Sequence, residues 1–383
     1  MIYCKTCLQP DTRPGTRFDE NGICPACNYF ESLKEVDWDE RMNEIWPIVE
    51  FGKKNNRSGY DCIIGVSGGK DSTRQAIFVK EILKMKPLLV CLSYPPEQVT
   101  QRGVDNISNL IDLGFDTITM NLAPKTWQAL MRKAFLQFAN WCKSTEMALF
   151  ASVPRLAIAY QIPLIWWGEN AALQLGDLGV LGKNGWDGNN LKHMNTLAGG
   201  NLQWMLGNGI ESKHILQYHY PSDREMDNAN LQIVFLGYFW KDWSLVENAN
   251  YAMLRGLEIR NEPPEILGDT YGVTSLDEDW VGMNQMIKYL KFGFGRMADY
   301  VNEDVRRNRI TREQGIELLK KYDGKVGDEY IESFCRYIDI PVKQFWEIVD
   351  SNVNKKLFYK DTDGRWKPKF EIGVGLKESV ASY

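Results

Sequence analysis

Six consecutive residues that follow an apolar run constrain the fold of this chain more than any other feature. They are Ser67, Gly68, Gly69, Lys70, Asp71 and Ser72. Residues 61–66 before them have the composition of a buried strand, and residues 73–80 after them continue as a helix-like segment. Glycines permit a tight turn whose amides point at a ligand, and the helix N-terminus adds partial positive charge, so this order predicts a phosphate-binding unit. A Gly-rich turn without a ligand is the alternative.

Beyond this unit, short apolar runs alternate with helical patterns. The predicted strands are residues 87–94, 115–120 and 163–168. Strands that alternate with long helices predict an α/β fold, with a parallel sheet covered on both faces. Ligands of such sheets bind beyond the carboxyl ends of the strands. We therefore expect Ser93 and the segment Gly168, Glu169 and Asn170 to lie near the 67–72 loop.

Composition favours a globular cytoplasmic enzyme without a membrane partner. The 383 residues contain no apolar run near the ~20 residues that a membrane span needs. The first residues lack the apolar core of a signal peptide. A net charge of −5 gives no basic footprint for nucleic acid.

Two of the cysteine pairs have the spacing of a metal site. Cys4 and Cys7 form one C-x-x-C pair, and Cys24 and Cys27 form the second after sixteen intervening residues. Two such turns can present four thiolates to one tetrahedral ion, which leaves no open position for catalysis. We expect structural zinc here, with a rubredoxin-like iron as the alternative.

Two carboxylates at predicted strand ends are candidates for binding magnesium. Magnesium prefers oxygen ligands and is commonly held by one or two carboxylates together with substrate phosphates. Asp71 in the loop and Glu169 after the strand at 163–168 fit this description. Glu169 could instead be only a neighbour of a helix cap, and Asn170 could bind substrate or act as a cap.

The remaining regions complete a three-part organisation. We expect a knuckle lobe at 1–35, a nucleotide-binding domain at 36–255 and a helical lobe at 256–383. Within the second part, the glycine-rich stretch 174–212 predicts a lid or substrate loop, or a disordered connector.

In the third part, residues 279–307 have helical periodicity interrupted by two glycines. Thr311 to Gln314 fits a capping box at the start of a further helix.

Several of these segments together resemble known families. The loop at 67–72 resembles the pyrophosphate-binding loop of the ATP pyrophosphatase superfamily, whose members cleave ATP between the α and β phosphates. The paired cysteines, the loop, residues 167–170 and residues 291–296 together look like the N-acetyl sugar amidotransferase family of bacterial surface-polysaccharide pathways. Residues 171–176 differ from that family's pattern, which affects the expected contacts to the sugar.

The resemblance implies a reaction, its cofactors and its partners. Such enzymes convert an acetamido group of a nucleotide-linked sugar to an acetamidino group, using ATP, magnesium and ammonia. No glutaminase signature is evident in the chain, so separate glutaminase and cyclase-like subunits are implied as the ammonia source.

The resemblance also implies roles for the candidate residues. Residues 67–72 would bind phosphates, with Gly168 and Asn170 as further nucleotide contacts. Ser93 would lie near the adenosine, and Asp71 and Glu169 would hold magnesium. Lys291 and Arg296 would stabilise charge on the leaving phosphates or hold the nucleotide-sugar, unless they belong to a solvated helix face.

Two other functions use the same loop. Enzymes of tRNA thiolation often join it to zinc knuckles, but they commonly need further reactive cysteines and a basic surface. Here the other four cysteines are scattered and the chain is acidic. A non-catalytic nucleotide-binding subunit is the second alternative, and ATP-dependent release of pyrophosphate would exclude it.

Overall fold

The computed structural model describes residues 1–174, 176, 185–194 and 197–376. Its centre is one five-stranded sheet in the order β3-β2-β1-β4-β5, and all of its neighbouring strands are parallel. The strands are β1 (Cys62–Gly65), β2 (Pro87–Ser93), β3 (Thr117–Asn121), β4 (Leu164–Trp167) and β5 (Gln232–Phe235). This topology confirms the predicted α/β fold class with a parallel sheet.

Helices connect and cover the strands. They are α1 (Pro25–Ser32), α2 (Trp38–Asn43), α3 (Ile45–Asn55), α4 (Lys70–Glu81), α5 (Gln101–Asp112), α6 (Pro124–Phe138), α7 (Cys142–Tyr160), α8 (Ala171–Gln174), α9 (Asp223–Asn228), α10 (Leu245–Met253), α11 (Pro264–Leu267), α12 (Val281–Phe292), α13 (Arg296–Arg306), α14 (Arg312–Tyr322), α15 (Asp328–Tyr337) and α16 (Val342–Asn352). Within the described residues, none of them is long and apolar enough to cross a bilayer.

Both faces of the sheet are buried, as the apolar strand sequences require. Side chains alternate between faces along a strand. Ile64 of β1 therefore packs in a cluster with Ile77 of α4, while Ile63 packs in another cluster with Val153 and Ala157 of α7. The strand order reverses between β1 and β4, and a crevice for ligands is expected beyond the carboxyl ends of these two strands.

Local signals determine several helix ends. The Thr100 hydroxyl accepts a hydrogen bond from the Gly103 amide and caps α5. Thr311 and Gln314 form the predicted capping box of α14. The interrupted pattern at 279–307 is indeed two helices, because Gly293 ends α12 with a left-handed φ of 80°.

The C-terminal part is mainly helical, as predicted, and also contains short strands. Two small antiparallel pairs follow α16, and the strands are β6 (Phe358–Lys360), β7 (Trp366–Pro368), β8 (Phe370–Glu371) and β9 (Gly375–Leu376). Strands of two or three residues are too short to show a periodic sequence pattern. The Phe358 and Phe370 rings pack into the same cluster as α6, α12 and α15.

The glycine-rich stretch is packed where it is described. Short 3₁₀ turns such as Asn189–His193 and Gln203–Met205 replace regular helices. Leu197, Leu202 and Met205 are buried in the cluster that includes α6 and α7. Residues 175, 177–184, 195 and 196 lie outside the described residues, so the lid remains a prediction.

Candidate active site

The loop after β1 has the conformation that its sequence predicts. Gly68 takes a left-handed φ of 74°, and a Cβ atom added there would lie 2.9 Å from Cβ of Asn106. Gly69 then starts α4 with extended backbone and without a side-chain cap. The first amides of α4 are therefore available to an anion at its N-terminus.

This loop forms one wall of a cavity of about 410 Å³. The predicted site residues on its wall are Ser67, Gly69, Lys70, Asp71, Ser72, Gly168, Glu169 and Arg296. They come from the ends of β1 and β4 and from the start of α13. Residues far apart in sequence thus share one concave site at the point where the strand order reverses, which is where α/β sheets bind ligands.

Apart from Gly68 of the loop itself, three predicted site residues lie outside the cavity wall. Asn170 accepts a hydrogen bond from the Leu173 amide and donates to the Gly237 carbonyl, so it caps α8. The Ser93 hydroxyl donates to the carbonyl oxygen of Tyr94. These contacts support a role of Asn170 as a helix cap. Ser93 is not among the residues that line the cavity.

Lys291 is the third. Its ammonium group donates to the carbonyl oxygens of Phe138 and Ala139, at 2.6 and 3.2 Å. A cation there stabilises the C-terminus of α6 through the helix dipole. Burial also lowers the pKa of Lys291. Its placement gives no support to a role in phosphate chemistry.

The two predicted magnesium ligands repel each other electrostatically. Burial, with a further contribution from the negative charge of Asp71, raises the pKa of Glu169 to about 7. A divalent cation between such carboxylates would remove this penalty by favouring their charged forms. The donor set therefore fits a hard divalent ion with oxygen ligands.

Sequence reasoning missed the carboxylates contributed by the C-terminal part. Asp277, Asp299 and Glu303 line the same cavity. Burial raises the pKa of Asp277 to about 6. For Asp299, burial acts in the same upward direction, but the nearby cations Lys288 and Arg13 lower its pKa below the usual range.

The spacing of polar residues along α13 could have predicted part of this wall. Arg296, Asp299, Tyr300 and Glu303 follow spacings of three and four along α13. They therefore share one face of the helix. Met297 and Val301 on the other side pack into a separate apolar cluster.

The four paired cysteines form one compact buried cluster. Their sulfur atoms all lie within 4.8 Å of one another. The distances are 3.9 Å from Cys4 to Cys27 and 3.7 Å from Cys7 to Cys24. A tetrahedral site with Zn–S bonds of about 2.3 Å has sulfur–sulfur edges of about 3.8 Å, so the cluster fits such an ion.

A buried arginine joins this cluster to the cavity wall. Nε of Arg306, at the end of α13, donates to the sulfur of Cys27 at 3.4 Å. Its Nη1 donates to the carbonyl oxygen of Leu173 at 2.9 Å, and Leu173 lines the cavity. The knuckle therefore supports the segment that follows Glu169.

Comparison with known proteins gives one family match. Residues 269–371 match the family described as "LPS biosynthesis protein WbpG-like, C-terminal domain". This segment contributes Asp277, Arg296, Asp299 and Glu303 to the cavity wall. The match supports the resemblance to the N-acetyl sugar amidotransferases of surface-polysaccharide pathways.

Other matches are partial or distant. An uncharacterized protein of Methanocaldococcus jannaschii, MJ1599, is 26% identical over 110 residues, which are 28% of this chain and 38% of that protein. The NH3-dependent NAD synthetase from Campylobacter jejuni has 17% identity and a TM-score of 0.28, over 37% of this chain and 61% of that one. NMN synthetase from Francisella tularensis has 13% identity and a TM-score of 0.28, over 60% of this chain and 99% of that one.

Proposed function

We propose that this chain, with its WbpG-like domain of LPS biosynthesis, is an ATP-dependent amidotransferase that acts on the acetamido group of a nucleotide-linked sugar. One observation carries the proposal. The phosphate loop at 67–72 and the WbpG-like residues Arg296 and Asp299 face the same cavity. The loop to which we assign ATP binding and the part of the chain that matches the family therefore line one cavity.

The proposed reaction has two steps. The acetamido oxygen attacks the α-phosphorus of ATP, and pyrophosphate leaves. Ammonia then attacks the activated carbon, AMP departs with the original acetamido oxygen, and loss of a proton leaves an acetamidino group. The first step is needed because an amide oxygen is a poor leaving group, whereas AMP is a good one.

The residues on the cavity wall have matching tasks in this proposal. Lys70 and the first amides of α4 bind the leaving pyrophosphate, and Arg296 stabilises charge that develops on the phosphates. Asp71 and Glu169 would hold magnesium, which would neutralise phosphate charge. Zinc at the four cysteines would be structural, because four sulfur ligands complete its coordination.

Ammonia has to reach the activated carbon, and most of it is protonated at neutral pH. We propose that separate glutaminase and cyclase-like subunits deliver it. Thiolation receives no support from the cavity, because its described wall contains no cysteine. The cysteines outside the knuckle, Cys62, Cys91, Cys142 and Cys335, are all buried.

An isotope experiment tests the proposal. The protein is incubated with ATP, magnesium, ammonium and a panel of nucleotide-linked sugars carrying oxygen-18 in the acetamido group. We expect one sugar to yield an amidine, with the label in AMP and none in pyrophosphate. Amidine formation with unlabelled AMP would refute adenylylation of the acetamido oxygen. AMP release that depends on tRNA instead of any sugar would favour thiolation.

A further inference from the structure

The two carboxylate oxygens of Asp71 are held by different elements of the fold. The Lys70 ammonium group donates to Oδ2 at 2.8 Å. The Asn248 amide, on α10, donates to Oδ1 at 2.6 Å. Asn248 belongs to none of the sequence motifs that predict the site, and its contact joins α10 to the first turn of α4.

The amide of Asn248 is held in one orientation. Its oxygen accepts a hydrogen bond from Nη1 of Arg74 at 2.8 Å. A guanidinium group can only donate, so the amide must direct its NH₂ group towards Asp71. Asn248 is completely buried, at 0% exposure.

Arg74 is itself fixed by two further contacts. Its Nη2 lies 2.7 and 2.8 Å from the two carboxylate oxygens of Asp242. Its guanidinium carbon lies 4.6 Å from the centre of the Trp240 ring. The planar group therefore has little freedom to release Asn248.

The start of α10 is attached to the C-terminal part of the chain. The Leu245 amide donates to both carboxylate oxygens of Glu303, at 3.2 Å each. Arg309 donates to the hydroxyl of Ser244, the residue that caps α10, at 2.8 Å. Asn248, about one turn later, is thus positioned by a helix whose first turn is bound to Glu303, another residue of the cavity wall.

We propose that Asn248 is a positioning residue for the metal of a metal–ATP complex. By holding Oδ1 of Asp71, it leaves Oδ2 as the carboxylate oxygen that this metal would bind. Since Asn248 holds Oδ1, the metal and the Lys70 ammonium group compete for Oδ2. Binding of the metal would therefore release Lys70 to the phosphates, so that both cations reach the nucleotide together. This inference rests on the proposed use of ATP and does not depend on which sugar is the substrate.

The test measures binding rather than turnover. Magnesium is titrated into the full chain with α,β-methylene-ATP, which resists cleavage between the α and β phosphates, and binding is followed by calorimetry. Asn248→Ala should weaken magnesium binding about tenfold or more, because the lost hydrogen bond is to a charged group. Nucleotide binding in EDTA should stay unchanged. Asn109→Ala, which removes a contact to the Arg255 carbonyl outside the cavity, is the control.

A double variant separates positioning from general damage. If Asn248 acts through Asp71, adding Asn248→Ala to Asp71→Asn should weaken magnesium binding no further. Additive losses, an equal loss of nucleotide binding in EDTA, or unchanged magnesium binding would each overturn the inference. If the wild type binds magnesium and nucleotide as expected but forms no amidine, only the proposed function fails.

A second variant covers the case in which Asn248→Ala does not fold. Arg74→Lys keeps the charge, but a lysine cannot hold Asn248 and Asp242 together in a planar fork. Weaker magnesium binding in Arg74→Lys, with unchanged nucleotide binding in EDTA, would support the inference. Unchanged magnesium binding in this variant would overturn it.

Discussion

Gly68→Ala should destabilise the protein far more than a glycine replacement at a similar backbone angle elsewhere. A left-handed φ costs a residue with a Cβ atom about 1–2 kcal/mol. At Gly68 the new Cβ would also lie 2.9 Å from Cβ of Asn106 and 3.2 Å from its backbone carbon. Relief of such overpacking costs about 1–3 kcal/mol more.

Asn106 cannot move away easily. It is 1% exposed, and its side chain exchanges two hydrogen bonds with the backbone of Glu258, at 3.0 and 2.8 Å. The total loss in the free energy of unfolding for Gly68→Ala should therefore be about 2–5 kcal/mol. The phosphate loop must shift as well, so ATP binding should weaken in the same variant.

Gly59→Ala is the matched control. Gly59 has a φ of 84°, and no atom lies within 4 Å of an added Cβ. This variant should lose only the backbone contribution, about 1–2 kcal/mol, and keep its affinity for ATP. Urea unfolding followed by tryptophan fluorescence compares the two. Equal losses of stability would show that the contact with Asn106 does not restrict the loop.

Three further results are expected. Arg296→Met should slow AMP formation about a hundredfold, as loss of a transition-state contact does, whereas Lys291→Met should keep the rate; the opposite order would contradict the cavity assignment. Cys24→Ser should lower the metal content measured by mass spectrometry and the thermal stability together, because four ligands build the site; unchanged metal content would exclude the cluster. Burial raises the pKa of Asp323 from 3.8 to about 6, so its stability contribution is present below about pH 4 and is lost as pH rises through 6; Asp323→Asn should flatten the unfolding free energy across this range, and an unchanged slope would refute this.

Local sequence signals were sufficient for the conformation of the 67–72 loop and for the fold class. The 67–72 loop and Glu169 each directly follow a buried strand, and parallel strands bring their carboxyl ends to one edge. The strand that precedes each of them in sequence was therefore enough to predict where the loop and Glu169 lie. The four cysteines were predictable for a similar reason, since each pair lies within one turn.

Lys291 and Arg296 show where this reasoning stops. They lie five residues apart in one interrupted helical pattern, and both are predicted to contact the leaving phosphates or the nucleotide-sugar. Gly293 ends the first helix between them, so Lys291 faces the C-terminus of α6 and Arg296 faces the cavity. The direction of the chain after such a break depends on tertiary packing.

Asn248 and Asp277 were not predictable for another reason. Each is a polar residue without a motif, and its importance comes from partners more than a hundred residues away in sequence. Asn248 meets Asp71, and Asp277 packs its backbone against Gly103 at the start of α5. Contacts between distant segments leave no periodic pattern in either segment.

The contact of Arg306 with Cys27 has a consequence for how such a protein can be divided or recombined. Deleting the knuckle would leave the buried guanidinium group of Arg306 without its sulfur partner. The same group donates a hydrogen bond to the Leu173 carbonyl oxygen. An unpaired buried charge of this kind is strongly destabilising. The knuckle is therefore not a detachable module. A chimaera that exchanges residues 1–35 should therefore also exchange residue 306. Among related sequences, substitutions in the knuckle and at position 306 should covary.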